Sequence, residues 1–183
     1  MEILVAWHSR DGHTAALADH IARGIELEHC TARMRQSPDS NGDMPLLSPD
    51  DFVGIGGIAL GSACYFGGMA GSLKRCLDAT SDLWVEQVLR DKPFLVFTSA
   101  DALHSGLEST LLSMAVPLLH HGMIYLGAPL NSPELGRGAG SIYGANQHPA
   151  GSPKMQPNRD EGALAQACGQ RLAKVAKALE GQL

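Results

Sequence analysis

Residues 2–7 (Glu-Ile-Leu-Val-Ala-Trp) form a short apolar run that breaks at once into Ser9, Arg10, Asp11, Gly12, His13 and Thr14. An amphipathic stretch follows, with Leu17, Ile21 and Ile25 at i, i+4 and i+8. This reads as a buried strand that ends in a hydroxyl-rich, Gly-containing loop and opens directly into a helix. The first N–H groups of such a helix have no intrahelical partner, and the helix dipole adds partial positive charge there. The loop is therefore a natural anion site, and the hydroxyls of Ser9 and Thr14 suit it to a phosphate monoester. An ordinary N-cap by Ser9 or Asp11 is the other reading of the same residues.

The strand–helix alternation continues. Strands are expected over residues 28–33, 52–60, 93–99 and 123–126, and the polar stretch 36–51 reads as loop. The unbroken apolar run 93–99 suggests burial on both faces, as in a parallel sheet. Helices are expected over 69–80, 106–121 and 161–179. In the second of these, Leu107, Leu111, Met114, Ala115 and Leu118 share one side, and Pro117 should bend it. In the third, Leu164, Cys168, Leu172, Val175 and Leu179 face inward. Five strands alternating with helices predict a doubly wound α/β domain over the whole chain. Ligands in such folds sit beyond the carboxyl ends of the strands, so the residues after strands one, three and four are where a site is expected. Residues 127–160 are rich in Gly, Pro, Ser and Asn without periodicity, which predicts a functional cover, a wrap around a neighbouring subunit or a disordered insert.

Composition narrows the function. A net charge of -5 argues against a nucleic-acid surface. No apolar run approaches the length of a bilayer span, and no signal-peptide pattern opens the chain, so a cytoplasmic protein is expected. Cys30, Cys64, Cys76 and Cys168 fit no metal or redox spacing; they are read as reduced, three of them in the core, and no metal site is expected. Gly54, Gly56 and Ala59 match a dinucleotide pattern, but the pattern lies inside the apolar run and opens no helix, so close packing explains the glycines better.

Tyr65 and Phe66, after strand three, are placed to stack on a planar ring, with burial in the core as the alternative. Trp84 could serve core, pocket or interface. His120 and His121 end the long helix before Gly122, where an imidazolium complements the helix dipole or one imidazole points over a site.

Several of these segments, in order, resemble the WrbA family of flavodoxin-like NAD(P)H:quinone oxidoreductases. They are the loop from Ser9 to Thr14; Tyr65-Phe-Gly-Gly-Met69 with Leu77 and Asp78; Leu83 and Trp84; His120-His-Gly-Met123; and Tyr143, Gly144 and Ala145 with Gln156 and Pro157. The resemblance implies a flavodoxin-like five-stranded parallel sheet of order 2-1-3-4-5, FMN as cofactor, NAD(P)H and a quinone as partners, and a homo-oligomer, dimer or tetramer. It implies that Ser9, Arg10, Asp11, Gly12, His13 and Thr14 hold the FMN phosphate. Cys64, Tyr65 and Phe66 would line the flavin ring, and Ser99 and Ala100 would begin a third flavin loop. His120, from a neighbouring subunit, would face the flavin, and Trp84 would wall the substrate pocket. The implied chemistry is ping-pong hydride transfer.

The chain also departs from the family pattern. Ala100, Asp101, Ala102, Leu103, His104 and Ser105 replace a Gly- and Thr-dense loop. Asp11 adds a carboxylate to the phosphate loop, and Tyr65 stands where relatives often carry Arg. Asp11 and Asp101 motivate one alternative, a diverged scaffold or regulator with a weakened or lost flavin site; a flavodoxin-type electron carrier is the other.

Overall fold

In a computed structural model, residues 1–148 and 156–182 are described; residues 149–155, inside the expected insert, and residue 183 lie outside them. Strands β1 (Glu2–His8), β2 (Thr31–Gln36), β3 (Ile58–Ala63), β4 (Pro93–Ser99) and β5 (Ile124–Tyr125) form a parallel sheet of order β2-β1-β3-β4-β5. Helices α1 (His13–Leu27), α2 (Gly71–Asp78), α3 (Ser81–Val85), α4 (Leu107–His120), α5 (Pro133–Gly136) and α6 (Arg159–Leu179) connect and cover it.

The two-residue period of the strands divides the core into two layers. Ile3, Val5 and Trp7 of β1 and Leu95 and Phe97 of β4 pack with Leu17, Ile21 and Ile25 of α1 and Leu164, Cys168 and Leu172 of α6. Leu4 and Ala6 of β1 and Phe94 and Val96 of β4 face the other way, onto Leu73 of α2 and Leu111, Met114 and Leu118 of α4. The flavodoxin-like order expected from the sequence is the observed one, with a sixth strand added.

The differences have local causes. β2 begins at Thr31 because residues 28–30 still close α1, with His29 at φ 59. The third strand starts at Ile58 rather than at 52. Phe52 instead ends a single 3-10 turn, Pro49–Phe52, held by a Ser48–Asp51 capping box, and Gly54 turns the chain at φ 74. Gly57 then enters the sheet where a Cβ would lie 2.9 Å from the Pro93 carbonyl oxygen, so crowding by β4 accounts for it and no nucleotide loop forms. α6 starts at Arg159 because Asn158 accepts from the N–H groups of Asp160 and Glu161 and the Glu161 carboxylate returns to the Asn158 N–H. The expected insert holds β6 (Ala145–Gln147), which pairs with the carboxyl end of β4 beyond the two-residue β5. All four cysteines are free; Cys30 and Cys168 are buried, whereas Cys76, expected in the core, is half-buried. Among the described residues, no helix is long and apolar enough to cross a membrane.

Candidate functional site

The carboxyl ends of β1, β3 and β4 converge on a cleft of about 90 Å³. Its first wall is Ser9, Arg10, Asp11, His13 and Thr14. The cap of α1 bears on the N-cap reading of this loop. Gly12 is the N-cap, at φ 90 and ψ -14, and among the described residues no side chain caps the helix. Neither Ser9 nor Asp11 takes that role: the Ser9 hydroxyl accepts the N–H of Gly12 itself, at 3.1 Å. The amides of the first helical turn are thus left without a side-chain acceptor beside the cleft, the condition an anion needs. Thr14 is fully buried, and its hydroxyl meets that of Ser99 at 2.7 Å, which ties the first loop to the third. Asp11 points outward: its side chain is 70% exposed and lies 3.8 Å from the Arg10 guanidinium, so solvent and Arg10 both weaken its charge.

The second wall is Ala63, Cys64 and Tyr65, and the third is Ser99, Ala100 and Asp101. The Cys64 N–H donates to the Ser99 carbonyl at 2.8 Å, and its thiol donates to the Ser105 carbonyl at 3.2 Å, so the two loops are stitched together. Phe66 does not line the cleft. It stands at φ 50 with its ring fully in solvent, the most exposed large apolar side chain among the described residues. The insert supplies a member that no periodicity marked: Gln147 of β6 accepts the Ala100 N–H at 3.2 Å and donates to His13 Nδ1 at 3.3 Å.

Sequence reasoning also missed His8, the last residue of β1. It is buried, with Nδ1 at 3.0 Å from the Ser37 hydroxyl and 3.1 Å from that of Ser72. Its Nε2 meets the Tyr65 hydroxyl at 3.2 Å, and the rings cross edge to face. Burial is the main cause that lowers its pKa, so a neutral imidazole holds the phenol of the second loop in place.

Trp84 and His120 are brought together, but not at this cleft. The Trp84 indole N–H donates to the His120 carbonyl at 2.8 Å, and both line a separate hollow of about 410 Å³ that shares no residue with the first. The Thr80 hydroxyl donates to the Leu77 carbonyl at 2.6 Å, which leaves its oxygen to accept from His121 Nε2 at 2.9 Å. His121 Nδ1 is buried with no hydrogen-bond partner among the described residues, and burial lowers the pKa of that imidazole. Gly122 closes α4 at φ 74, so the helix-ending role expected of this segment is present.

Comparison with known proteins places this geometry. The family model for NADPH-dependent FMN reductases matches residues 2–133. A Solidesulfovibrio magneticus protein called NAD(P)H dehydrogenase (quinone) is 30% identical over 98% of this chain and 99% of its own. An Archaeoglobus fulgidus protein of the same name is 34% identical over 97% of this chain and 98% of its own. A flavodoxin, WrbA-like protein from Agrobacterium tumefaciens has the same fold, with TM-score 0.71 at 23% identity over 97% of this chain and 98% of that one. Oxidised Flavodoxin 1 from Bacillus cereus follows, with TM-score 0.67 at 16% identity over 95% and 98%. The chain belongs to the NADPH-dependent FMN reductase family of oxidoreductases and has a flavodoxin-like fold.

Proposed function

We propose that this protein is a cytoplasmic FMN-dependent oxidoreductase, one flavodoxin-like domain that passes reducing equivalents from NAD(P)H to quinones. The observation that carries the reading is the start of α1: a left-handed Gly12 cap with no side-chain acceptor, opening onto a cleft at the strand ends. These residues fit the phosphate end of FMN. The amides and hydroxyls between Ser9 and Thr14 would hold it, with Arg10 as the nearby cation. At about 90 Å³ the cleft falls short of the roughly 300 Å³ or more usual for a ligand pocket. The planar ring would therefore be held by the loops at its mouth: Cys64, Tyr65 and Phe66 on one side, Ser99 and Ala100 on the other. Bound FMN supplies the hydride chemistry, at flavin N5. The protein supplies position: His8 and the Cys64 contacts fix the ring loops, and Gln147 and Ser99 fix the phosphate loop. NAD(P)H and the quinone would use one pocket in turn, which makes the exchange ping-pong.

A homo-oligomer, dimer or tetramer, completes this reading. Leu112, Val116 and Leu119 follow one another along α4 at i, i+4 and i+7, all exposed, beside exposed Trp84. Burial of this stripe against a second copy would carry Trp84 and His120 of one protomer to the flavin mouth of another.

The test follows visible absorbance of the FMN-loaded protein. Bleaching by NADH or NADPH and recovery on adding benzoquinone supports the enzyme. Retained flavin that is inert to both nucleotides refutes it in favour of an electron carrier, and no flavin retained at micromolar concentration refutes both in favour of a diverged, flavin-free member.

A further inference from the structure

A second, more open hollow of about 350 Å³ adjoins the flavin cleft. Arg10 and Tyr65 line both, so the two form one groove divided by the Tyr65 side chain. The hollow has a built floor. His8 and Ser72 are each more than nine-tenths buried and lie 3.1 Å apart, and His8 also meets the Tyr65 hydroxyl. Its rim carries two cations, Arg10 and Arg75, and one anion, Asp39. Arg75 reaches Asp39 at 3.2 Å, but the two side chains are 71% and 72% exposed, so that pair is weak and easily exchanged. Among the described residues, the Arg10 guanidinium has one ion-pair partner, Asp11, at 3.8 Å. Each guanidinium has five N–H donors in a planar fork, so most of this donor capacity is unspent.

FMN as placed above takes Arg10 as its nearby cation and leaves Arg75 unused, because its phosphate falls to the first turn of α1. The other anionic ligand is the reductant. A nicotinamide dinucleotide that brings its nicotinamide to the flavin mouth must lay its phosphates on adjoining surface. The hollow shares two wall residues with the cleft and has cations in excess.

We propose that this hollow seats a phosphate of the reducing dinucleotide, with Arg75 as the recognition residue and Arg10 bridging the hollow to the flavin cleft; the inference rests on the NAD(P)H reading above. The two arginines grip the phosphate oxygens by charge-assisted hydrogen bonds, and Asp39 releases Arg75 to do so.

The test uses the full chain and a fragment without nicotinamide, adenosine 2′,5′-bisphosphate. FMN affinity is measured first, by quenching of flavin fluorescence, for the wild type, Arg75→Ala and Arg75→Lys. The fragment is then titrated calorimetrically into the FMN-loaded proteins. The proposal expects equal FMN affinity in all three, fragment binding weakened roughly tenfold or more in Arg75→Ala, and partial recovery in Arg75→Lys. In stopped flow, Arg75→Ala should slow flavin reduction at low NAD(P)H and leave reoxidation by quinone unchanged. Fragment binding indifferent to Arg75 overturns the proposal. So does loss of FMN affinity in Arg75→Ala, which would assign the hollow to the flavin. A wild type that retains no FMN fails the functional reading instead, and titration of the apo chain then decides the hollow by itself.

Discussion

Replacement of Gly12 by Ala puts the phosphate loop to a quantitative test. Gly12 caps α1 at φ 90 and ψ -14, a left-handed backbone that costs an L-residue about 1–2 kcal/mol. That strain has two places to appear. A rigid loop keeps its conformation, the strain is present with and without ligand, and unfolding in urea reports a stability loss of about 1–2 kcal/mol with FMN affinity unchanged. A loop that relaxes in the free protein escapes the strain until FMN restores the cradle; stability then holds and the FMN Kd rises by roughly 5- to 30-fold for the same 1–2 kcal/mol. The two losses should therefore sum to about 1–2 kcal/mol, however they divide. Urea denaturation and flavin-fluorescence titration of both proteins supply the numbers. A variant that loses neither stability nor affinity would show that the left-handed cap is not required, and the phosphate-loop argument would fail with it.

Three further outcomes follow from the geometry. Tyr65→Phe leaves His8 Nε2 without its hydroxyl partner in a buried setting, and should lower stability by about 1–3 kcal/mol in urea; an unchanged midpoint would show that the bond carries nothing. His8, His20 and His121 all have pKa values lowered from 6.5, chiefly by burial. The native chain then binds fewer protons than the unfolded one, so stability is full above pH 6.5 and falls as pH drops from there through the lower native values. His8→Gln should flatten that fall, and an unaltered slope would remove His8 from it. Val116→Asp, in the exposed α4 stripe, should convert the oligomer to a monomer by light scattering and suppress quinone turnover while FMN affinity holds; a wild type that is itself monomeric contradicts the shared site.

What the sequence disclosed follows from what local pattern can encode. β4 matches its expected bounds because Phe94, Leu95, Val96 and Phe97 are buried on both faces and nothing polar interrupts them. The third strand is displaced because Phe52 is as apolar as any strand residue but is buried from a 3-10 turn, and its capping box had to be seen in three dimensions. Polar residues at the strand ends misled in the opposite direction. Ser62 and Gln147 read as loop, yet both are buried and belong to the sheet, where hydrogen bonds and neighbouring loops replace solvent. The strand, loop and helix around Ser9 to Thr14 were legible, but whether a side chain caps α1 rests on φ at Gly12, which no residue pattern states. His8 was invisible, because its partners Ser37, Tyr65 and Ser72 lie 29, 57 and 64 residues away.

The central claim is that the first turn of α1 holds a phosphate, and paired titrations with FMN and riboflavin test it most directly. The two ligands share the ring and ribityl chain and differ only in that group. If the uncapped amides and the hydroxyls of this loop receive the phosphate, two charge-assisted hydrogen bonds at about 1.5–3 kcal/mol each should make FMN bind at least roughly 100-fold tighter than riboflavin. Equal affinity for the two would contradict the account.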